Sequence, residues 1–278
     1  MHTTIVHHDQ LSPAAEAAIL QRIPGELVHK GHCYRLRHQD AVSTETLFQL
    51  REQLGVDINT LPDGFDPAQV KLVISDMDST FINIECIDEI ADFAGVKPQV
   101  SAVTEAAMRG ELNFEESLNK RVALLKGLHT DALQKVYDQR LQLNPGAEEL
   151  LQGLRKQGIP FALVSGGFDF FTERLKQRYQ LDYTRSNTLA QNGEHLTGEV
   201  VGQIVGAGVK REFLLQLCDE LNIQPSQVIA MGDGANDLLM MQVAGLSVAY
   251  CAKPAVKAQT SCVLDHSGLN SVLDLLAS

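Results

Sequence analysis

Residues 71–80, Lys-Leu-Val-Ile-Ser-Asp-Met-Asp-Ser-Thr, constrain the fold more than any other stretch of the chain. A short, mostly apolar run leads into two aspartates one residue apart. An apolar run bounded by polar residues predicts a buried parallel strand. Strand side chains alternate between faces, so Asp76 and Asp78 are expected on one side as the strand ends. Paired carboxylates at the carboxyl end of a central strand lie where open α/β sheets bind ligands. One can attack while the other moves protons. A lone Asp-x-Asp is more often a loop with two solvated acids. Three further segments of matching chemistry weigh against that here.

The rest of the chain supplies the alternation that such a strand needs. From residue 146 onward the pattern predicts a helix at 147–157, a strand at 160–164 and a helix at 168–179. A hairpin at 184–201 turns at Asn192-Gly193. A helix at 210–221, a strand at 227–231, a helix at 236–243, a strand at 246–250 and two short elements complete it. Alternation of this kind argues for a mostly parallel sheet covered on both faces.

Residues 81–144 read as largely helical. One stripe is Ile87, Ile90, Ala91 and Ala94, stopped by Gly95. Another is Phe114, Leu118, Val122 and Leu125. A third helix over 130–142 precedes Asn144-Pro145-Gly146. A helical insert directly after the Asp-x-Asp loop is expected above the strand ends, where a lid belongs.

The first 68 residues predict a small β-α-β-β-α unit. Its strands are at 3–7, 26–29 and 32–37. Its helices are at 13–22, opened by Ser12 and Pro13, and at 44–54, between Ser43 and Gly55. Asn59 to Pro67 has a linker composition. The expected division is a unit at 1–68, a core at 69–80 and 145–278, and a cap at 81–144.

Composition narrows the partners. A formal charge of −12 argues against nucleic acid or an anionic membrane, and it means that an anionic substrate needs a local positive site. No apolar run has membrane-spanning length, and the N-terminus lacks a signal-peptide pattern. The cysteines Cys33, Cys86, Cys218, Cys251 and Cys262 are scattered and contain no Cys-x-x-Cys. Neither a zinc site nor a disulfide framework is indicated, and a reduced cytoplasmic enzyme fits best. Most of the histidines fall before residue 39 without helical or hairpin spacing. They read as surface residues, with metal binding a minor alternative.

Three segments join the first. Phe161-Ala-Leu-Val-Ser165-Gly166-Gly167-Phe168 ends a strand in a hydroxyl and two glycines before a helix. Such an end can bind an anion through backbone N–H groups, although Ser-Gly-Gly also makes ordinary turns. Lys210 follows Gly206-Ala-Gly-Val at a helix start. Val228-Ile-Ala-Met-Gly232-Asp233-Gly234-Ala-Asn236-Asp237 ends a second strand in acids. Gathering Asp233 and Asp237 near Asp76 and Asp78 concentrates like charge, about 4 kcal/mol per pair at ~4 Å and a dielectric of ~20. A hard divalent cation offsets this, and oxygen-only donors select Mg²⁺ over zinc. The set calls for phosphoryl transfer through an aspartyl-phosphate. Asp76 attacks, Asp78 is the general acid/base, and Lys210, Ser165 and the Gly166 N–H hold phosphoryl oxygens.

These segments, in this order, resemble the haloacid dehalogenase superfamily, and within it the phosphoserine phosphatases, over residues 71 to about 270. The resemblance implies a Rossmann-like core with a helical cap inserted after the first catalytic strand. It implies hydrolysis of O-phospho-L-serine to serine and phosphate, the last step of serine synthesis, with Mg²⁺. It assigns Glu85 to the substrate amine, Arg121 to the substrate carboxylate, and Met108 and Phe114 to an apolar wall. It makes Asp76, Asp233 and the backbone carbonyl of Asp78 metal ligands, and Asn236 and Asp237 orienting groups, Asp237 directly or through water. On helix spacing alone Glu85 and Arg121 read as surface charge. The N-terminal unit bears a weak likeness to ACT-type ligand-binding domains; a packing or homodimerisation module is the alternative. Rival activities are a phosphatase for another small phosphomonoester, a phosphotransferase and a phospho-accepting signalling protein. Asp78 argues against the last, because a built-in acid/base hastens loss of the phosphoryl group.

Overall fold

The computed structural model describes residues 1–277. The chain opens with β1 (His2–His7), α1 (Pro13–Arg22), β2 (Gly25–Lys30), β3 (Cys33–His38), α2 (Thr44–Leu54) and β4 (Asp57–Thr60). Local chemistry sets the helix bounds. Ser12 and Ser43 accept the Ala15 and Thr46 N–H groups, and Gly55 ends α2 at φ 64°. β4 corrects the expectation of a linker from Asn59. It pairs antiparallel with β1 and buries Ile58, and the Pro- and Gly-rich stretch starts only beyond it. The unit is therefore a ferredoxin-like β-α-β-β-α-β, with sheet order β2-β3-β1-β4.

Helices α1 and α2 cover one face of that sheet through Ile19, Leu47 and Leu50. The other face meets the rest of the molecule through buried Ile5 and Cys33, which join its main apolar core, and through polar contacts. His7 Nδ1 lies 2.9 Å from Asp274 Oδ2, and the Arg35 guanidinium donates to the Asp274 and Ala277 carbonyls. The Asp57 carboxylate accepts the N–H groups of Asp265, His266 and Ser267. Asn59 exchanges two hydrogen bonds with the Val263 backbone. Two histidines expected at the surface are thus buried. His7 pairs with Asp274, and the His38 ring bonds Thr4 Oγ1 and the Asp40 carbonyl.

The chain then forms β5 (Leu72–Ser75) and four helices, α3 (Cys86–Phe93), α4 (Lys97–Met108), α5 (Phe114–Ala123) and α6 (Asp131–Gln139). α4 escaped the sequence stripes because Val100 is its one fully buried apolar residue. The helical segment hangs from a two-stranded neck. Asn83 N–H donates to the Gln142 carbonyl, and the Asn144 side-chain amide donates to the Thr80 and Ile82 carbonyls.

After the neck come α7 (Ala147–Gln157), β6 (Phe161–Phe168), α8 (Asp169–Tyr179), β7 (Tyr183–Asn192), β8 (His195–Val201) and α9 (Ala207–Leu221). The last elements are β9 (Val228–Gly232), α10 (Leu238–Met241), β10 (Leu246–Tyr250), α11 (Pro254–Lys257), β11 (Cys262–Leu264) and α12 (Val272–Leu276). They build a sheet of order β11-β10-β9-β5-β6-β7-β8, parallel except for β8. Alternate β5 residues feed two cores. Val73 joins α7, α8 and α12, while Leu72 and Ile74 join α9, α10 and α11. β6 runs past the expected end at 164, because a bulge lets Phe168 resume pairing with Asn187. α9 starts earlier than expected, which puts Lys210 inside its first turn. No helix among the described residues is long and apolar enough to cross a membrane.

Candidate active site

β5 lies between β6 and β9, so three parallel strands end side by side. The Asp76 N–H donates to the Met231 carbonyl, which extends the β5–β9 ladder by one residue and fixes Asp76 at the strand end. Its Oδ1 accepts the Met77 N–H at 2.7 Å and the Lys210 ammonium at 2.8 Å. Ser79 then adopts φ 57°, uncommon for a residue with a side chain. The chain then folds back, the Ser79 N–H donating to the Ile84 carbonyl, and brings the start of α3 to Asp78. Asp78 Oδ1 accepts the Cys86 N–H at 2.8 Å, and Oδ2 accepts the Ser165 hydroxyl at 3.0 Å. Asp76 and Asp78 both line one cavity of about 410 Å³.

The glycines after Ser165 serve close approach. A Cβ on Gly167 would lie 2.5 Å from Asp78 Oδ2, and one on Gly166 would lie 2.8 Å from the Phe114 ring. The Ser165 hydroxyl also accepts the Gly167 N–H, and the Asn187 side chain holds the Gly166 carbonyl. The loop is therefore fixed before any ligand arrives.

Lys210 is fully buried between Asp76 and Asp237, 2.7 Å from Asp237 Oδ1. Asp237 Oδ2 accepts the Gly234 N–H. Burial opposes the Lys210 charge, but Asp237 and Asp76 more than offset this and raise its pKa. Burial, then the Asp237 charge, pushes Asp76 well above the usual carboxylate range, and Lys210 pulls it back. One ammonium satisfies one ionised carboxylate, not two. Asp233, whose Oδ1 accepts the Thr80 hydroxyl, is pushed up to about 6 by burial and by Asp237. Oxygens of Asp76, Asp233 and Asp237 lie within 4.8 Å of one another. Hard oxygen donors carrying surplus negative charge fit a metal cation.

The helical segment contributes the opposite wall. Glu85 occupies the N-cap position of α3 without a side-chain capping bond, accepts the Ser79 hydroxyl at 2.7 Å and lines the cavity. The residue is solvent-exposed overall, and the protein atoms beside its carboxylate partly desolvate it. This desolvation, then the Asp78 charge, pushes it up to about 7. Arg121, in the last turn of α5, and Phe114, in its first, line the same cavity, as does Asn236. Burial lowers the Arg121 pKa, opposed by Asp88 and Glu85.

Met108 departs from expectation. It is 71% exposed and outside the cavity lining. The α4 face that buries Val100 and brings Thr104 to the cavity runs past its edge in the last turn. The sequence reading passed over Thr80, Asp88 and Lys253. Asp88 is one turn after Glu85, a spacing that puts both on one helix face. Lys253 follows the β10 strand, another strand end.

A family model described as haloacid dehalogenase-like hydrolase matches residues 70–245. The phosphoserine phosphatase of a Polaromonas species is 50% identical over 227 residues, covering 80% of this chain and 96% of that protein. The crystal structure of a probable phosphoserine phosphatase from Vibrio cholerae superposes with a TM-score of 0.85 at 37% identity. That match covers 99% of this chain and 86% of the other. A phosphoserine phosphatase solved as an analogue of its phospho-aspartyl intermediate gives 0.70 at 40% identity, over 75% of this chain and 99% of the other. The motif segments, the sheet that carries them and these matches agree: the chain belongs to the haloacid dehalogenase-like hydrolases.

Proposed function

We propose that this chain is a Mg²⁺-dependent phosphoserine phosphatase, converting O-phospho-L-serine to L-serine and phosphate at the end of serine biosynthesis. The observation that carries this reading is that Glu85 and Arg121 face the cavity that holds Asp76 and Asp78. A zwitterionic substrate needs an anion for its amine and a cation for its carboxylate. Each such contact is worth about 1.5–3 kcal/mol. Relatives that carry this name support it. Free cysteines throughout the described residues suit a reducing compartment such as the cytoplasm.

Asp76 Oδ1 is occupied by Lys210 and the Met77 N–H, whereas Oδ2 accepts no hydrogen bond among the described residues, so Oδ2 attacks phosphorus. The bond from phosphorus to the seryl oxygen breaks. Its electron pair leaves with that oxygen, which takes the Asp78 proton. Burial, the largest influence on Asp78, raises its pKa and favours the protonated acid this step needs. Asp78 then takes a proton from water as the water attacks phosphorus. The bond to Asp76 breaks, releasing phosphate. Ser165, the Gly166 N–H and Asn236 hold phosphoryl oxygens, Lys210 favours the charged form of Asp76, and Phe114 excludes water. Asp76, Asp233 and the Asp78 carbonyl, with Asp237 directly or through water, would hold Mg²⁺, which supplies positive charge against the phosphate.

The test is phosphate release from O-phospho-L-serine and from an aryl phosphate, with Mg²⁺ or EDTA, by the protein and by Arg121→Ala. Expected is Mg²⁺-dependent release from both, with the variant losing phosphoserine selectively. Poor use of phosphoserine beside good use of the aryl phosphate would reject the substrate and keep the chemistry.

A further inference from the structure

β10 lies beside β9, so a fourth parallel strand end adjoins the site. After Tyr250 the chain doubles back. Cys251 takes φ 43°, a conformation that residues with side chains adopt at a cost, and its N–H donates to the Leu264 carbonyl at 2.8 Å. The Lys253 N–H donates to the Asp233 carbonyl at 3.3 Å, and Pro254 starts α11 directly afterwards. This bent loop carries Lys253 to the wall of the cavity that Asp76, Asp78, Glu85 and Arg121 share.

The charge balance of that wall gives the lysine a role. Asp76, Asp78, Glu85, Asp88 and Asp233 line it, and Arg121 and Lys253 are its cations. Arg121 is assigned to a carboxylate in the reading above. Lys210 lies behind the wall, committed to Asp76 and Asp237. The Lys253 ammonium makes no hydrogen bond or ion pair among the described residues, yet it is near enough to Asp233 to favour that carboxylate's charged form. A phosphate dianion approaching through so acidic a wall, on a chain of formal charge −12, meets this ammonium as its uncommitted counter-charge.

We propose that Lys253 is a binding residue for the phosphoryl group, its ammonium contacting the outward oxygens of a phosphate monoester dianion whatever alcohol is esterified to it. The proposal rests on reading the cavity as a phosphatase site and extends it to a residue outside the motif segments. Lys253 makes and breaks no bond; it is a fixed charge that sets phosphate affinity.

Lys253→Met keeps the stem and the backbone N–H, and Lys253→Arg keeps the charge. With Mg²⁺ present, KM and kcat are measured for phosphoserine and nitrophenyl phosphate. Inorganic phosphate affinity is measured by product inhibition and by calorimetry, which needs no turnover. In Lys253→Met both KM values and the phosphate Kd are expected to rise together by about tenfold, with kcat changing less than about threefold. Lys253→Arg restores phosphate affinity, and added salt shrinks the gap between the protein and Lys253→Met. An unchanged phosphate Kd in Lys253→Met overturns the proposal. So does a loss of kcat alone, which assigns the residue to holding the loop. A weakened phosphate Kd in a protein that ignores phosphoserine supports Lys253 and counts against the substrate.

Discussion

The Ser165 hydroxyl donates to Asp78 Oδ2 across 3.0 Å, joining two strand ends 87 residues apart in sequence. With the Cys86 N–H on Oδ1, both Asp78 oxygens are held in place while burial raises the pKa. The carboxyl is fixed in position, as the proton-transfer role proposed for it requires. Asp78→Asn keeps the shape and removes the proton. It is expected to lower kcat on phosphoserine by about 10²–10⁴. Nitrophenolate leaves without an acid, so nitrophenyl phosphate should still phosphorylate Asp76 and then stall. A burst of nitrophenolate, with a phosphorylated protein seen by mass spectrometry, checks this. Slow turnover with no burst would remove Asp78 from the second step.

Much of this site is written in contiguous residues, and that part was legible. An apolar strand followed at once by its acids or by Ser-Gly-Gly carries both fold and chemistry in one segment. The strand-end positions of Asp76, Ser165 and Asp233 are therefore readable from the sequence alone. What stayed hidden depends on contacts distant in sequence. β4 is short, and its strand character comes from pairing with β1 and from Val263 against Asn59. His7 is buried because Asp274 lies 267 residues away along the chain. Lys253 reaches the cavity through a backbone bend at Cys251 that no residue type announces. Met108 was assigned by likeness to a wall, and the end of α4 carries it into solvent.

Lys210 tests the charge balance of the cluster. Lys210→Met leaves Asp76 and Asp237 buried without their shared counter-charge. A loss of about 3–5 kcal/mol of stability in EDTA is expected, together with loss of activity. Added Mg²⁺ should stabilise the variant more than it stabilises the unaltered protein, because the cation then supplies the missing positive charge. Urea midpoints with and without Mg²⁺ measure both effects. Equal Mg²⁺ gains would separate Lys210 from the metal cluster.

The amine-binding role proposed for Glu85 predicts a pH-dependent substrate choice. The Glu85 pKa is about 7, and only the carboxylate attracts an ammonium group. Below that pH the neutral form grows, and the preference for phosphoserine over nitrophenyl phosphate should fall by about tenfold per unit. Both substrates titrate their own phosphate and phosphoserine alone draws on the Asp78 proton, so the Glu85 contribution is the difference in the pH dependence of the kcat/KM ratio between the unaltered protein and Glu85→Gln. Glu85→Gln should lower the ratio and remove that contribution across pH 5 to 8. A ratio with the same pH dependence in both proteins would assign the amine to another group.

The raised carboxylates also shape stability without metal. The folded state holds the Asp233 proton more tightly than the unfolded chain does, with a pKa of about 6 against 3.8. The native state therefore binds more protons, and this contribution to stability declines as pH rises from about 4 to about 6. In EDTA, the stability difference between Asp233→Asn and the unaltered protein should shift in favour of the variant over that window. Mg²⁺ favours the ionised form and should reverse the trend. Urea midpoints at pH 4.5 and 7 decide it, and a difference that ignores pH would place Asp233 outside the strained cluster.

Asp57 ties the N-terminal unit to the core. Its buried carboxylate accepts three consecutive N–H groups, those of Asp265, His266 and Ser267, beyond the edge strand β11. Asp57→Ala strands those donors, at about 1–3 kcal/mol for each that stays buried. Asn59 still bonds Val263, Arg35 still reaches the end of α12, and Ile5 and Cys33 still share the main apolar core, so the unit stays attached through the remaining contacts. The unaltered protein should unfold in one transition, and Asp57→Ala in two, with the N-terminal sheet lost first. Hydrogen exchange should speed up at 265–267 and along β4, and stay slow in β5 and β9. One transition, with exchange unchanged at 265–267, would mean that the junction is carried by Asn59, Arg35 and the apolar contacts of Ile5 and Cys33 instead.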